Sequence, residues 1–201
     1  MCIIFEHLPK EQQLAVAKEP GLLAAVEPFL RGGGDKVDTA IDLLLELADW
    51  EDGEFTENVE KCVAAIFDSP CFSSVKDMAE TGITVVLKRK AWEVIVWVSR
   101  MEEVRRKAML DSAGMVALLL AGLKSEVVYI ADIATTTIRN LSSSAEVASD
   151  LLDSHPDLVK ALVNTFSTNG VCRKFRRKSH FLSLSLTLTL LVSILIRSLF
   201  F

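Results

Sequence analysis

The chain has few residues that interrupt helices: five prolines and nine glycines among 201 residues. That scarcity permits long uninterrupted helices. It has four cysteines, Cys2, Cys62, Cys71 and Cys172. They form no C-x-x-C pair, and their separations match no disulfide or zinc framework, so they read as buried or spectator thiols in a reducing compartment. The opening residues, MCIIFEHLPKEQQ, lack the basic stretch and long apolar run of a secretory signal, so the body is expected in the cytosol or nucleus. A phosphate-binding loop is missing too: Gly32-Gly33-Gly34 has neither a following Lys-Ser/Thr nor a preceding strand. The serines lie outside any nucleophile elbow. His7, His155 and His180 share no metal-ligand spacing, and His155 reads as a partly exposed structural residue at a helix start. No catalytic residue, metal ligand or cofactor site is therefore expected, and the enzyme classes have no support.

Half of the residues are apolar and 24 % are charged, which excludes wholesale disorder and allows a substantial core. The net charge of −5 hides a division along the chain. Residues 1–170 carry 16 Lys and Arg against 27 Asp and Glu, whereas residues 171–201 carry six basic side chains and no acidic one. The pattern indicates two parts, an acidic body over 1–170 and a basic, then apolar, tail over 171–201.

The body repeats. The tripeptides Phe67-Asp68-Ser69, Leu110-Asp111-Ser112 and Leu152-Asp153-Ser154 recur at spacings of 43 and 42, each followed by a short apolar segment. A further copy opens the chain, where Lys18-Glu19-Pro20 leads into GLLAAVEPFL. A second ladder aligns TAIDLLLELAD, KAWEVIVWVSR and IATTTIRNLSS, placing Ala40, Ala91 and Ala134 in one column and Leu47, Val98 and Leu141 in another. Its spacings are 51 and 43, the difference arising mainly from an acidic insertion around residues 50–55. Two ladders with one period of forty-odd residues indicate helical repeats. Ser69-Pro70 supplies an N-cap and a proline at the first helical position, and Ser154 with Pro156 is expected to do the same. Ser143 with Glu146 reads as a capping box, and Asp35 can cap the helix that follows the glycine run. The stretch from Ile83 to Val98 is rich in β-branched residues and could be drawn as a hairpin, but the ladder assigns it to a helix.

GMVALLLAGLKSEVVYIADIATTTIRNLSSSAEVASDLLDSHPDLVKALV resembles the armadillo-repeat pattern. There a G-x-x-x-L-x-x-L-L helix precedes an A-x-x-x-x-x-N-L-S helix, matched by Gly114, Leu118, Leu119, Ala134, Asn140, Leu141 and Ser142. The likeness is strongest over 103–168 and extends weakly to about residue 10. It implies an all-α, right-handed α-solenoid of about three and a half units, whose third helices line a concave groove. It also implies a non-catalytic scaffold that binds a partner protein segment, extended or helical.

The ladder aligns Asp42, Glu93 and Thr136 in one column, Glu46, Trp97 and Asn140 in a second, and Asp49, Arg100 and Ser143 in a third. Offsets of four and seven put Asp42, Glu46 and Asp49 on one helix face, and Asp132, Thr136 and Arg139 on another. The resemblance turns these faces to the groove, where Asn140 would bind the backbone of an extended peptide. The other two copies hold Glu46 and Trp97 in that column, so capture of a nuclear localisation signal is not expected. The acidic members favour a partner with basic residues. Trp92 is placed at the groove edge beside Glu93, and Trp97 and Trp50 have packing between repeats as the competing reading. Lys88-Arg89-Lys90 and Arg105-Arg106-Lys107 read as solvated surface, with no nucleic acid expected.

The fourth unit stops halfway, and after NTFSTNG comes VCRKFRRKSHFLSLSL. Residues 181–196 carry no charge and follow the cluster Arg173 to Lys178. As a helix this run is borderline for spanning a bilayer, and LSLSLTLTL alternates with the period of a strand. Three readings stay open: a tail anchor holding the body on the cytosolic side of a membrane, an exposed strand, and the end of an alternative transcript.

Overall fold

A computed structural model describes residues 21–32, 34–48 and 57–168, with positions 12, 15, 16 and 19 before them. Asp49, Trp50, the acidic insertion and the tail over 171–201 lie outside the described residues. Among the described residues the principal elements are ten helices, with no strand. They are α1 (Leu22–Gly32), α2 (Asp35–Ala48), α3 (Glu57–Asp68), α4 (Pro70–Thr81), α5 (Val85–Val98), α6 (Glu103–Asp111), α7 (Met115–Leu123), α8 (Val128–Leu141), α9 (Ala145–Ser154) and α10 (Pro156–Thr168). The chain divides into two compact units, residues 1–118 and 119–201, with the division inside α7.

In the first unit α1 packs on α2 and α4, α2 on α3 and α5, and α4 on α5. The apolar positions explain the pairing. α1 buries Leu23, Val26 and Leu30 at helical spacing, and α4 buries Cys71, Phe72, Val75, Met78 and Ala79. α5 buries Ala91, Trp92, Val94, Ile95 and Val98 along one side. Polar groups stitch α1 to α4: the Cys71 thiol donates to Leu23 O at 2.9 Å, and the buried Ser74 hydroxyl accepts from Arg31 Nε at 3.2 Å. Phe67 and Phe72 meet edge to face with centroids 5.2 Å apart, closing the α3–α4 corner.

The stretch from Ile83 to Val98 is helical from Val85 onward, not a hairpin. Thr84 caps it, its hydroxyl accepting from Leu87 N at 3.1 Å. Packing against α2 and α4 decides the matter: the helical register buries five side chains on one side, and tertiary contacts override β-propensity.

In the second unit α8 buries eight residues, including Ile130, Ile133, Ala134, Ile138 and Leu141, and α9 packs on α10. Both ladder columns are buried in every copy: Ala40, Ala91 and Ala134, and Leu47, Val98 and Leu141. The tripeptide ladder has a local cause in two of its copies. Ser69 and Ser112 each follow the last residue of a helix, and each hydroxyl donates back to a terminal carbonyl, Ile66 O and Met109 O, at 2.7 Å. Ser69 also accepts from Cys71 N at 3.2 Å and so caps the next helix.

Two caps differ from the sequence reading. α9 is capped by Ser144, whose hydroxyl accepts from Val147 N at 3.3 Å, one residue after Ser143. Ser154 is the last residue of α9, and His155 occupies the turn before Pro156. There the chain has one intervening residue where the Ser69 copy has none, so the serine cannot serve both helices. Gly114 is fixed by backbone geometry: it adopts φ +80° before α7, where L side chains are strained. At Gly82 an added Cβ would lie 2.5 Å from Met78 O, so no larger residue fits without a backbone shift.

Among the described residues Trp92 is the largest fully buried side chain. Its replacement by Ala is expected to cost about 3–5 kcal/mol, read from denaturant unfolding of the full chain with helical circular dichroism retained. Ser112→Ala, which removes the bond to Met109 O together with the contact from Lys76 Nζ at 3.4 Å, is expected to cost about 1 kcal/mol in the same measurement.

Candidate functional site

The outward side of α2 carries Asp38, Asp42 and Glu46 at successive intervals of four, opposite the buried Ile41, Leu44 and Leu47. α5 packs alongside, and its Lys90 reaches across. The ammonium lies 3.0 Å from Asp38 Oδ1 and 2.7 Å from Asp42 Oδ1. The side chain of Lys90 is 23 % exposed, against 56 % for Asp38 and 44 % for Asp42. Burial opposes the Lys90 charge, but hydrogen bonds and attraction from Asp42 and Asp38 outweigh it and lift its pKa above the ordinary lysine value. Asp42, one of the acidic members of the α2 face, therefore already holds a cation. The ladder contained the signal: in its register Lys90 stands opposite Thr39, next to Asp38 and near Asp42. Lys90 belongs to this bridge and not to a solvated basic cluster. Arg105 is engaged as well, at 2.6 Å from Glu102 and 3.5 Å from Asp68.

On α5, Val86, Arg89, Glu93 and Trp97 follow one another at intervals of three and four along the side turned away from the core, and Arg100 lies in the turn just after the helix. The Arg100 guanidinium lies 4.6 Å from the centre of the Trp97 ring, a cation–π pair. Glu93, Trp97 and Arg100 are half-buried, as Glu46 is on α2. Trp92 does not join them. It is 1 % exposed, so its placement at a groove edge is corrected. Neighbours in sequence are turned by about 100° around a helix axis, and that turn carries Trp92 into the core while Glu93 stays outside.

In the second unit Asp132, Thr136, Arg139 and Asn140 lie half-buried on the side of α8 away from its eight core residues. The Thr136 hydroxyl donates to Asp132 O at 3.0 Å, which ties it to its own helix. Burial lowers the pKa of the Arg139 guanidinium without discharging it at neutral pH. Asp49 lies outside the described residues, so its place in this constellation is not seen.

Among the described residues no group of three His, Cys, Asp or Glu side chains could hold a metal ion, and no helix is long and apolar enough to cross a membrane. Cys62 and Cys71 are buried, and burial pushes the Cys71 thiol above its ordinary pKa. An open groove of about 410 Å³ runs between α9 and α10, lined by Leu152, Pro156, Val159 and Val163 with Asp153 and Lys160.

No protein-family model, curated protein or solved structure matches the chain.

The raised pKa of Lys90 sets a pH dependence. Its bridge stabilises the fold fully below the unfolded lysine value of about 10.4 and loses that contribution as pH rises through the higher folded value. Wild type should exceed Lys90→Met in stability by up to about 1 kcal/mol at neutral pH and low salt, and the gap should close above pH 10 or so. Paired denaturant titrations across that range measure it.

Proposed function

We propose that this chain is a non-catalytic interaction scaffold. Its body, residues 1–170, is read as a right-handed armadillo-like solenoid of about three and a half units that holds a partner segment against the outward side of its third helices. The observation that carries the reading is the pairing of α1 with α4 and of α2 with α5, elements separated by about one repeat of sequence. Stacking of equivalent elements from successive repeats is how a solenoid buries faces that no single repeat can cover. The buried ladder columns and the matching Ser69 and Ser112 bonds support the same equivalence.

The binding face in the first unit is Glu46, Glu93, Trp97 and Arg100, with Asp42 neutralised in place by Lys90. Trp97 offers a flat apolar surface, and Glu46 and Glu93 flank it with negative charge. A segment with an apolar anchor and basic neighbours suits that chemistry. The corresponding side of α8, with Asp132, Thr136, Arg139 and Asn140, is the second unit's candidate face. No cofactor, metal or nucleic acid enters this reading, and the body is placed in the cytosol or nucleus. A second reading, a tail-anchored protein with a cytosolic helical body, rests on the uncharged run over 181–196 behind a basic cluster. Carbonate extraction of membranes separates the two, since an anchored chain stays in the pellet.

A partner captured by the full chain and identified by mass spectrometry provides the test. Glu46→Lys combined with Trp97→Ala is the informative variant, because reversing Asp42 would also break the Lys90 bridge. Losing an aromatic anchor and a rim charge should weaken binding by about tenfold or more, most visibly at low salt. Binding undiminished at low salt would remove the face assignment.

A further inference from the structure

We propose that Arg139 is the anchor for a side-chain carboxylate of the partner, carried on an extended segment that lies along α8. The inference rests on the reading of the outward side of α8 as the second unit's binding face, and it names the chemistry of the occupant. Eight of the fourteen residues of α8 are buried. The six that are not are Val128, Tyr129, Asp132, Thr136, Arg139 and Asn140, and by helical geometry they fall within about 120° of its circumference. Arg139 is the only basic residue on that strip.

Six arginines stand among the described residues, and five of them are engaged within the chain. Arg31 pairs with Glu27, Arg105 pairs with Glu102 and Asp68, and Arg100 lies over the Trp97 ring. Arg89 and Arg106 have internal contacts as well. Among the described residues nothing bonds to or pairs with the Arg139 guanidinium. The side chain is nevertheless half-buried, and burial lowers its pKa with no carboxylate near enough to offset the effect.

The end of α8 does not employ this cation. Its last carbonyls already have donors: Ser142 N reaches Ile138 O at 2.9 Å, Ser143 N reaches Asn140 O at 3.3 Å, and the Ser142 hydroxyl reaches Arg139 O at 3.3 Å. A charge in the last turn suits the helix dipole, but a fully solvated lysine would serve that equally well. Holding a guanidinium partly out of water with nothing opposite it costs the fold, and such conflicts mark functional positions.

A carboxylate is the anion that fits. One guanidinium binds it through two parallel hydrogen bonds, whereas a phosphate dianion or an anionic bilayer calls for several cations. Residues 119–168 carry six Asp and Glu against three Lys and Arg, so a broad plane of negative charge is repelled there. Asp132 stands two turns away, about a screening length, and leaves a single close contact at Arg139 intact. At the other end of the strip Val128 is 66 % exposed and offers an apolar contact. The two positions are about 16 Å apart along the axis, a span that about five residues of extended chain cover.

The test selects short random peptides on the full chain, with their C-termini fused to the display carrier so that side chains supply the only carboxylates. Selected peptides should carry Asp or Glu about five residues from an apolar side chain. Changing that acid to its amide should weaken binding to wild type by about tenfold or more, and should leave binding to Arg139→Gln nearly unchanged, so that the two losses do not add. Val128→Asp, which places an acid at a helix start, should keep the fold and also weaken these peptides. Peptides that lose binding on Val128→Asp but not on Arg139→Gln overturn the inference and leave the face standing. Peptides indifferent to both overturn the inference and the face together. Acid-free peptides that bind through Arg139 only when their own C-terminus is free overturn it in favour of a terminal carboxylate. Arg139→Gln should lower the melting temperature by no more than about 4 °C, the loss of a dipole contact alone. A larger fall would reveal an internal partner for Arg139 and overturn the inference without any ligand.

Discussion

A helix of nine to fourteen residues has one apolar stripe and no means of burying it alone, and that constraint organises the described part of this chain. α2 and α5 answer it together. Ala40 and Ala91 occupy the same ladder column and are both buried, and Leu47 and Val98 sit two turns further along each helix, also buried. Trp92 fills the core from the same side of α5. Once those side chains are inside, the helical period leaves no freedom about which residues remain outside. Glu46 on α2 and Glu93 and Trp97 on α5 reach solvent because their neighbours in the turn do not.

The polar interactions act on what packing leaves over. Lys90 is placed by α5 at the seam with α2, where it meets two carboxylates spaced one helical turn apart. Pairs this exposed contribute little stability each, so their effect is chiefly on the character of the surface. They convert an acidic edge into one that is partly neutral, next to a tryptophan already covered by an arginine. Further along α5 the sign changes again, with aliphatic and basic residues at the leading turn.

Much of this was legible in the residues. Ser69-Pro70 announced a helix start because a hydroxyl cap and a missing N–H suit the same position, and both are found there. The alanine and leucine columns marked core positions because a repeat preserves what its neighbour must pack against. Caps were less secure where several serines adjoin: Ser143 and Ser144 differ by one residue, and backbone dihedrals select the second. Ser154 ends a helix where its counterpart Ser69 lies between two, because one extra residue separates it from the following proline.

The sequence by itself marked the described residues as helical outside Ile83 to Val98 and placed the break at Ser69-Pro70. Periodicity, caps and glycine positions are local properties carried by residues a few places apart. Tertiary structure alone decided what each polar or aromatic residue of the face does. Trp92 and Glu93 are adjacent in the chain yet lie on opposite sides of a boundary drawn by α2 and α4 packing on α5. Lys90 belongs to a basic triplet in the chain and to an acidic pair in space, because the partners that hold it are 48 and 52 residues away. Burial and pairing depend on which helix lies alongside, and no stretch of one helix encodes the side chains of its neighbour.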